Sequence, residues 1–409
     1  MINPARCIDC GECIKVCPYK AKKATHDDLS VLGKYKYTIA LPAPSLYGQF
    51  DNLDNIGYII RGLRDIGFDA VFEVACAAEL VTAYTRHYIK REGIPKPVIS
   101  SACPTMTRLI SMNYPSLCEN IIPILPPVDI AAYLARNYAH ETHPELTDEE
   151  IGIIFISPCP AKVSYVRNSF AGDRNYISAT VSVRDVYFAL LDVMDKRADE
   201  PLDTTESGMI GIGWASTGGE SSAILNENYL AADGIENCIR VLDQIDNSDI
   251  TNLDFIELNA CSGGCVGGAM TVANPYIAQA RLKSLKRYLP VSPNRPAGEW
   301  IPDEFFNEKG VEYNPYARLS SDRREAMRMM GEIEEITKCL PGIDCGSCGA
   351  PTCMAFAEDI VKNETNADEC TVIMRELFHE YLQEKKHASI LERFKSAQKQ
   401  EKETGGDAT

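Results

Sequence analysis

The stretch NACSGGCVGG, residues 259–268, sets Cys261 and Cys265 four residues apart among Gly263, Gly264, Gly267 and Gly268, directly after the apolar run DFIELN. Thiolates suit soft metals, and glycine lets backbone approach closely or take positive φ. The stretch therefore reads as a strand end whose backbone folds tightly around a metal centre, either a bulky one or a single zinc ion.

Working outward, short β-rich runs (YTIAL, AVFEVA, PVIS, IGIIFIS, DFIELN) alternate from about residue 36 with helical stretches such as NIGYIIRGLRDIG and VRDVYFALLDVMDKR. Strands alternating with helices predict an α/β domain with a largely parallel sheet, in which ligands sit at the carboxyl ends of strands. Cys103 follows PVISSA, Cys159 follows IIFISP and Cys261 follows FIELNA, so three thiols fall at such ends.

The chain has 409 residues, 45% of them hydrophobic, enough for two or three domains. A formal net charge of -17 repels phosphate backbones and anionic lipid, which predicts no nucleic-acid or membrane partner. The run IIFI at 153–156 is far short of the roughly 20 apolar residues of a membrane helix, and MINPARCIDC lacks the features of an export signal, so a cytoplasmic protein is expected. With 16 cysteines in so large a chain, metal binding is a better account than a disulfide scaffold. The six histidines form no H-x3-H or H-E-x2-H pair, which disfavours a histidine-based site.

Two further cysteine sets flank this domain. CIDCGECIKVCP places Cys7, Cys10, Cys13 and Cys17 in the C-x2-C-x2-C-x3-C-P run of bacterial ferredoxins and resembles half of a two-cluster ferredoxin. Either Cys17 closes its own 4Fe-4S cluster or the chain starts inside a longer module. Cys345, Cys348, Cys353 and Cys370 form a second set, with small residues between the first three and a helix carrying the chain back to the fourth. That stretch resembles the small 4Fe-4S module of ion-pumping electron-transport complexes and corrinoid iron-sulfur proteins. Cys339 is left over as a spare, and Cys76, Cys118 and Cys238 as core residues.

The strand-end motifs SSACPTMTRL, SPCPAKVSYV and NACSGGCVGG resemble, in order and context, the three H-cluster motifs of FeFe hydrogenases. The resemblance extends to LPAPSLY, VFEVACAAELV and GWASTGGESSAIL, over roughly residues 36–290. It implies that Cys103, Cys159 and Cys261 hold a 4Fe-4S cube and that Cys265 also bridges to a di-iron unit carrying CO, CN and dithiolate ligands. It also implies that the glycines are needed because two metal units crowd the turn. Lys162 would donate to a cyanide and, with Cys265, carry the catalytic role. Ala43, Pro44, Ser45, Ala102, Ser157, Asn259, Thr217 and Gly218 would surround the cofactor.

This sequence departs from the catalytic enzymes at several positions. Ala102 stands where the family's proton-donating cysteine would be, Ser157 and Asn259 replace methionines, and Tyr84 and Thr85 replace proton-relay glutamates; Glu79 remains, solvated or capping. These changes resemble the sensory branch of the family.

The expected protein is an α/β, two-lobed H-cluster domain with a strand-end metal site, flanked by small iron-sulfur modules. Its boundaries are 1–30 (ferredoxin-like), 31–290 (H-cluster), 291–336 (linker and helix), 337–375 (C-terminal 4Fe-4S) and 376–409 (helical and disordered tail). With three 4Fe-4S clusters and the di-iron unit it would interconvert H2 with protons and electrons slowly, in hydrogen or redox sensing. A ferredoxin or flavoprotein subunit would be its redox partner, within a homodimer or larger complex. The rival reading is a non-catalytic electron-transfer subunit without the di-iron unit.

Overall fold

Parallel pairing of short, apolar strands organises the larger part of this protein. The structure is a computed structural model and describes residues 7–167, 176–194, 202–248, 250, 252–296, 298, 300–307, 309–315, 319–320 and 322–384. The chain divides into two units, Met1–Tyr316 and Ala317–Thr409.

In the first unit the strands are β1 (Tyr37–Pro42), β2 (Ala70–Val71), β3 (Val98–Ile99), β4 (Ile151–Ser157), β5 (Ala179–Ser182), β6 (Tyr229–Asp233) and β7 (Phe255–Asn259). They form two sheets, ordered β2-β1-β4-β5 and β3-β7-β6, with every pair parallel. This is the expected α/β architecture with two lobes. β5 and β6 are strands the sequence reading does not pick out, and AVFEVA gives only the two residues of β2 before the helix Val74–Tyr88 begins.

The run IGIIFIS is buried at every position because both faces of its sheet are covered. Ile151, Ile153 and Phe155 join Ile39 and Leu41 in one core, whereas Ile154 and Ile156 join Ala40 in another. The alternation follows from the two-residue side-chain period of a strand. A third core lies on the smaller sheet, where Ile99, Ile256 and Leu258 meet Met106 and Ile110 of the helix Pro104–Asn113.

The N-terminal cysteine run holds one helical turn, Glu12–Lys15, and packs on this unit through an Asp9–Arg108 ion pair at 3.2 Å. Within 291–315, the start of the expected linker and helix, some of the described residues pack on this unit and others are exposed. Ile301 and Phe305 are buried, Leu125 N donates to the Phe305 carbonyl, and Asn294 binds Glu79. Proline is compatible with an extended segment that packs by its side chains, so composition alone could not separate the two cases.

The second unit is built from the helices Arg323–Cys339, Cys353–Val361 and Thr371–Glu384 around Ile333, Leu340, Phe356, Ala357 and Cys370. The last helix exposes Leu377, Phe378 and Tyr381. The tail beyond residue 384, including Ala388 and Leu391, lies outside the described residues.

Candidate metal centre

The strand-end thiols come from both sheets. Cys159 follows β4 and precedes the helix Pro160–Arg167. Cys103 follows β3 and immediately precedes the helix Pro104–Asn113, whereas Cys261 follows β7, the neighbour of β3 in the other sheet. Cys265 opens the turn Cys265–Gly267. The four lie within electrostatic reach of one another: Cys261 feels the charges of Cys159, Cys103 and Cys265, and Cys265 those of Cys159 and Cys103.

Burial dominates their chemistry. It raises the Cys159 thiol, raises Cys261 far above its ordinary value, and pushes Cys265 up to about 12. Thiols of this kind hold their protons at neutral pH, so binding metal here must release protons. Two ammonium groups oppose the burial, with Lys162 acting on Cys159 and Cys265 and Lys15 on Cys261. Lys162 Nζ sits 5.8 Å from the Phe155 ring centroid and also acts on the carboxyls of Glu220 and Asp129.

Backbone contacts alone already require the glycines. A Cβ on Gly264 would lie 2.6 Å from Thr217 N, one on Gly267 2.1 Å from the Ser262 carbonyl oxygen, and one on Gly268 2.2 Å from that of Pro158. What crowds the turn is backbone. Val266 N donates to Ala215 O at 3.1 Å and Thr217 N to Gly263 O at 3.3 Å, so the 215–217 segment is laced against the thiol loop.

The predicted surrounding residues sort by what they touch. Thr217 Oγ1 donates to Asp233 Oδ2 at 2.8 Å, which also accepts from Gly263 N at 2.7 Å. Gly218 N donates to Glu257 Oε1 at 3.0 Å. Both residues therefore brace the loop. Ser157 Oγ donates to Cys159 O and accepts from Cys159 N, and Asn259 Nδ2 donates to Glu257 Oε1 at 2.8 Å. The polarity of Ser157 and Asn259 is thus spent locally. Ala43, Pro44 and Ser45 are buried at the end of β1, whose Pro42 pairs with Ile156 beside the Cys159 loop. Ser45 Oγ is buried without a hydrogen-bond partner. An orphaned buried hydroxyl of this kind fits a partner that the protein itself does not supply. Ala102 offers only its amide, which donates to Ser100 Oγ at 3.2 Å.

Behind this wall stand three carboxyls, of which Glu220 lies on the polar proton route the sequence suggests, whereas Glu257 and Asp129 are not singled out by it. Ser100 Oγ donates to Glu220 Oε2 at 2.7 Å, while Glu257 accepts from Gly218 N, Ser221 N, Ser221 Oγ and Asn259 Nδ2. Glu220 is the partner held protonated, raised by burial and then by the charge of Glu257. Asp129, buried beneath Tyr165 Oη at 2.5 Å, is pushed up to about 6 by its burial. The available signal was a lone acid inside an apolar run, as in FIELN and VDIAAYL. Glu79 caps backbone, accepting from Gly208 N at 2.7 Å and Asn294 N at 3.0 Å. Tyr84 packs on Phe305, and Thr85 Oγ1 is buried without a partner.

In the N-terminal run, Cys7, Cys10 and Cys13 neighbour one another, and burial raises the first two. Cys17 is instead lowered by the backbone N–H groups of Ala21 and Lys22. In the second unit Cys345, Cys348, Cys353 and Cys370 line one small recess, whereas Cys339 is exposed outside it. Among the described residues, no three His, Cys, Asp or Glu side chains stand close enough to hold a single metal ion. Zinc would need its thiolates drawn in to about 2.3 Å from one centre, whereas a cube places iron and sulfide between them.

The iron only hydrogenase large subunit, C-terminal domain family matches residues 36–230 and 220–269. A 4Fe-4S binding domain matches 1–23 and a putative Fe-S cluster family matches 340–372. The chain is 25% identical to iron hydrogenase 1 of Clostridium pasteurianum over 59% of its own length and 51% of that protein's. It is 22% identical to an NADP-reducing hydrogenase subunit of Solidesulfovibrio fructosivorans over 66% of this chain and 56% of the relative. The matches thus span about half the length of these relatives. Among solved structures, an FeFe-hydrogenase from a study of stepwise H-cluster assembly superposes with TM-score 0.51 at 16% identity, covering 64% of this chain and 90% of that one. At that identity the likeness bears on the fold alone. Among the described residues, no helix is long and apolar enough to cross a membrane.

Proposed function

Because this chain belongs to the iron-only hydrogenase large-subunit family, we propose that it is a slow hydrogenase, 2H+ + 2e- to H2 and back, that serves hydrogen or redox sensing. The observation that carries this reading is the Lys162 ammonium acting at once on Cys159, Cys265 and the Glu220 carboxyl. A cube held for electron transfer needs neither a second buried thiol role nor a cation beside it.

In this reading Cys103, Cys159, Cys261 and Cys265 would hold a cube, and Cys265 would also help to hold a di-iron unit, with Lys162 and Ser45 beside it. When bound, that unit supplies the place where two electrons and two protons combine as hydrogen. The chain's own contribution is to exclude water and to place charge. Lys162 offers an ammonium to anionic ligands, a charge-assisted contact. Ala102 holds no proton, so in this reading the proton store is the protonated Glu220 carboxyl, reached through Ser100 Oγ, which donates to Glu220 Oε2 and accepts from the Ala102 amide. A positioned general acid contributes about 10²- to 10⁴-fold, so a longer route accounts for slow turnover. The Cys7, Cys10, Cys13 and Cys17 run and the Cys345, Cys348, Cys353 and Cys370 set would hold two further cubes and exchange electrons with a ferredoxin or flavoprotein.

Infrared spectroscopy of matured protein tests the reading. Carbonyl and cyanide bands are expected, with iron near 14 per chain, about 12 in cubes plus two. Intact cubes without those bands would leave the chain an electron-transfer subunit.

A further inference from the structure

A second cavity, of about 800 Å³, lies in the first unit with none of its cysteines in the wall. Arg86 and His87 line it from the helix Val74–Tyr88, Lys286 from the helix Pro275–Lys286 and Arg295 from the segment that follows. Ile210 and Val291 give it an apolar side. In a chain of net charge -17, four basic side chains around one hollow are against the average.

These basic side chains are not there to pair with acids. Among the described residues none of Arg86, His87, Lys286 and Arg295 forms an ion pair. The carboxylate in the wall, Glu79, is spent on Gly208 N and Asn294 N. Arg86 gives Nε to the Ala223 carbonyl at 2.9 Å, which leaves guanidinium N–H groups over. Burial and then Arg295 hold the Arg86 guanidinium below its ordinary value, and burial and then Lys283 do the same to Lys286. Like charges gathered without counter-ions cost stability, and an anionic ligand would remove that cost.

We propose that this cavity binds an organic phosphate, with the phosphates among Arg86, Lys286 and Arg295 and an apolar body against Ile210 and Val291. Its volume falls within the roughly 300–1,000 Å³ of small-molecule sites. Bare phosphate would satisfy the cations but leave the apolar wall wet, which is why the ligand carries a flat or apolar group. The site owes nothing to the hydrogen chemistry and is testable whether or not that reading holds.

The test is calorimetric titration of the full chain, clusters in place, with ATP, adenosine and inorganic pyrophosphate as probes. ATP should bind, more weakly as salt is raised. Adenosine should give no heat at the same concentrations, and pyrophosphate should bind at least about tenfold more weakly than ATP. Arg295→Gln and Lys286→Gln should each weaken ATP binding by about tenfold or more, with visible spectrum and melting unchanged. Arg295 is exposed, so its loss leaves the fold intact. Absence of ATP binding at millimolar concentration, or binding unaltered in both variants, would overturn the site. Pyrophosphate binding as tightly as ATP would reduce it to a simple anion site and overturn the organic ligand.

Discussion

Gly264→Ala is the substitution that most directly probes how the thiol loop is held. Gly264 lies between Cys261 and Cys265 with φ 84° and ψ -158°, a region that side-chain-bearing residues scarcely enter. That strain costs about 1–3 kcal/mol. The added Cβ would also stand 2.6 Å from Thr217 N, 2.8 Å from Ser216 C and 3.0 Å from Ala215 O. These are backbone atoms tied to the same loop by hydrogen bonds, so they cannot swing aside, and overpacking of this sort adds about 1–3 kcal/mol. The expected loss is therefore about 2–6 kcal/mol, concentrated where two of the four thiols are set.

Gly218→Ala is the matched control. Its φ is 79° and ψ -2°, and a Cβ there meets nothing within 4 Å. Only the left-handed conformation is charged against it, about 1–2 kcal/mol. Urea denaturation should rank the two variants accordingly, and iron retained after reconstitution should fall by one cluster in Gly264→Ala alone. If both variants unfold at the same urea concentration and bind the same iron, the account of the glycines as backbone contacts is wrong.

Asp129, on which Lys162 acts, and Ala102 give two further outcomes. Asp129 titrates near 6 when folded against about 3.9 when unfolded, so the native state binds its proton more tightly and wild-type stability declines as pH rises between those values. The stability of Asp129→Asn relative to wild type should then climb from about pH 4 to about pH 6 and level off above; a flat difference across that range would show that the carboxyl is not desolvated. Ala102→Cys should raise hydrogen evolution by matured protein at saturating reductant, by at most the 10²- to 10⁴-fold typical of a positioned proton donor, and an unchanged rate would show that proton delivery does not limit turnover.

The sequence by itself determined the strands that matter most and what they end in. IGIIFIS and DFIELN are apolar enough to be buried on both faces, and a thiol following each of them lies at a carboxyl edge wherever the strand is placed. Spacing likewise marked Cys345, Cys348, Cys353 and Cys370, because three of those thiols are close in the chain and a helix returns the fourth. Tertiary structure alone decided which groups back the metal site. Glu257 and Glu220 are 37 residues apart, and Asp233 reaches Gly263 over 30, so their meeting depends on how β6, β7 and the 215–223 segment pack. The same holds for the glycines. A sequence shows that a residue has no side chain, but which distant backbone comes within 3.0 Å of it is decided by packing, and here it belongs to Ala215, Ser216 and Thr217.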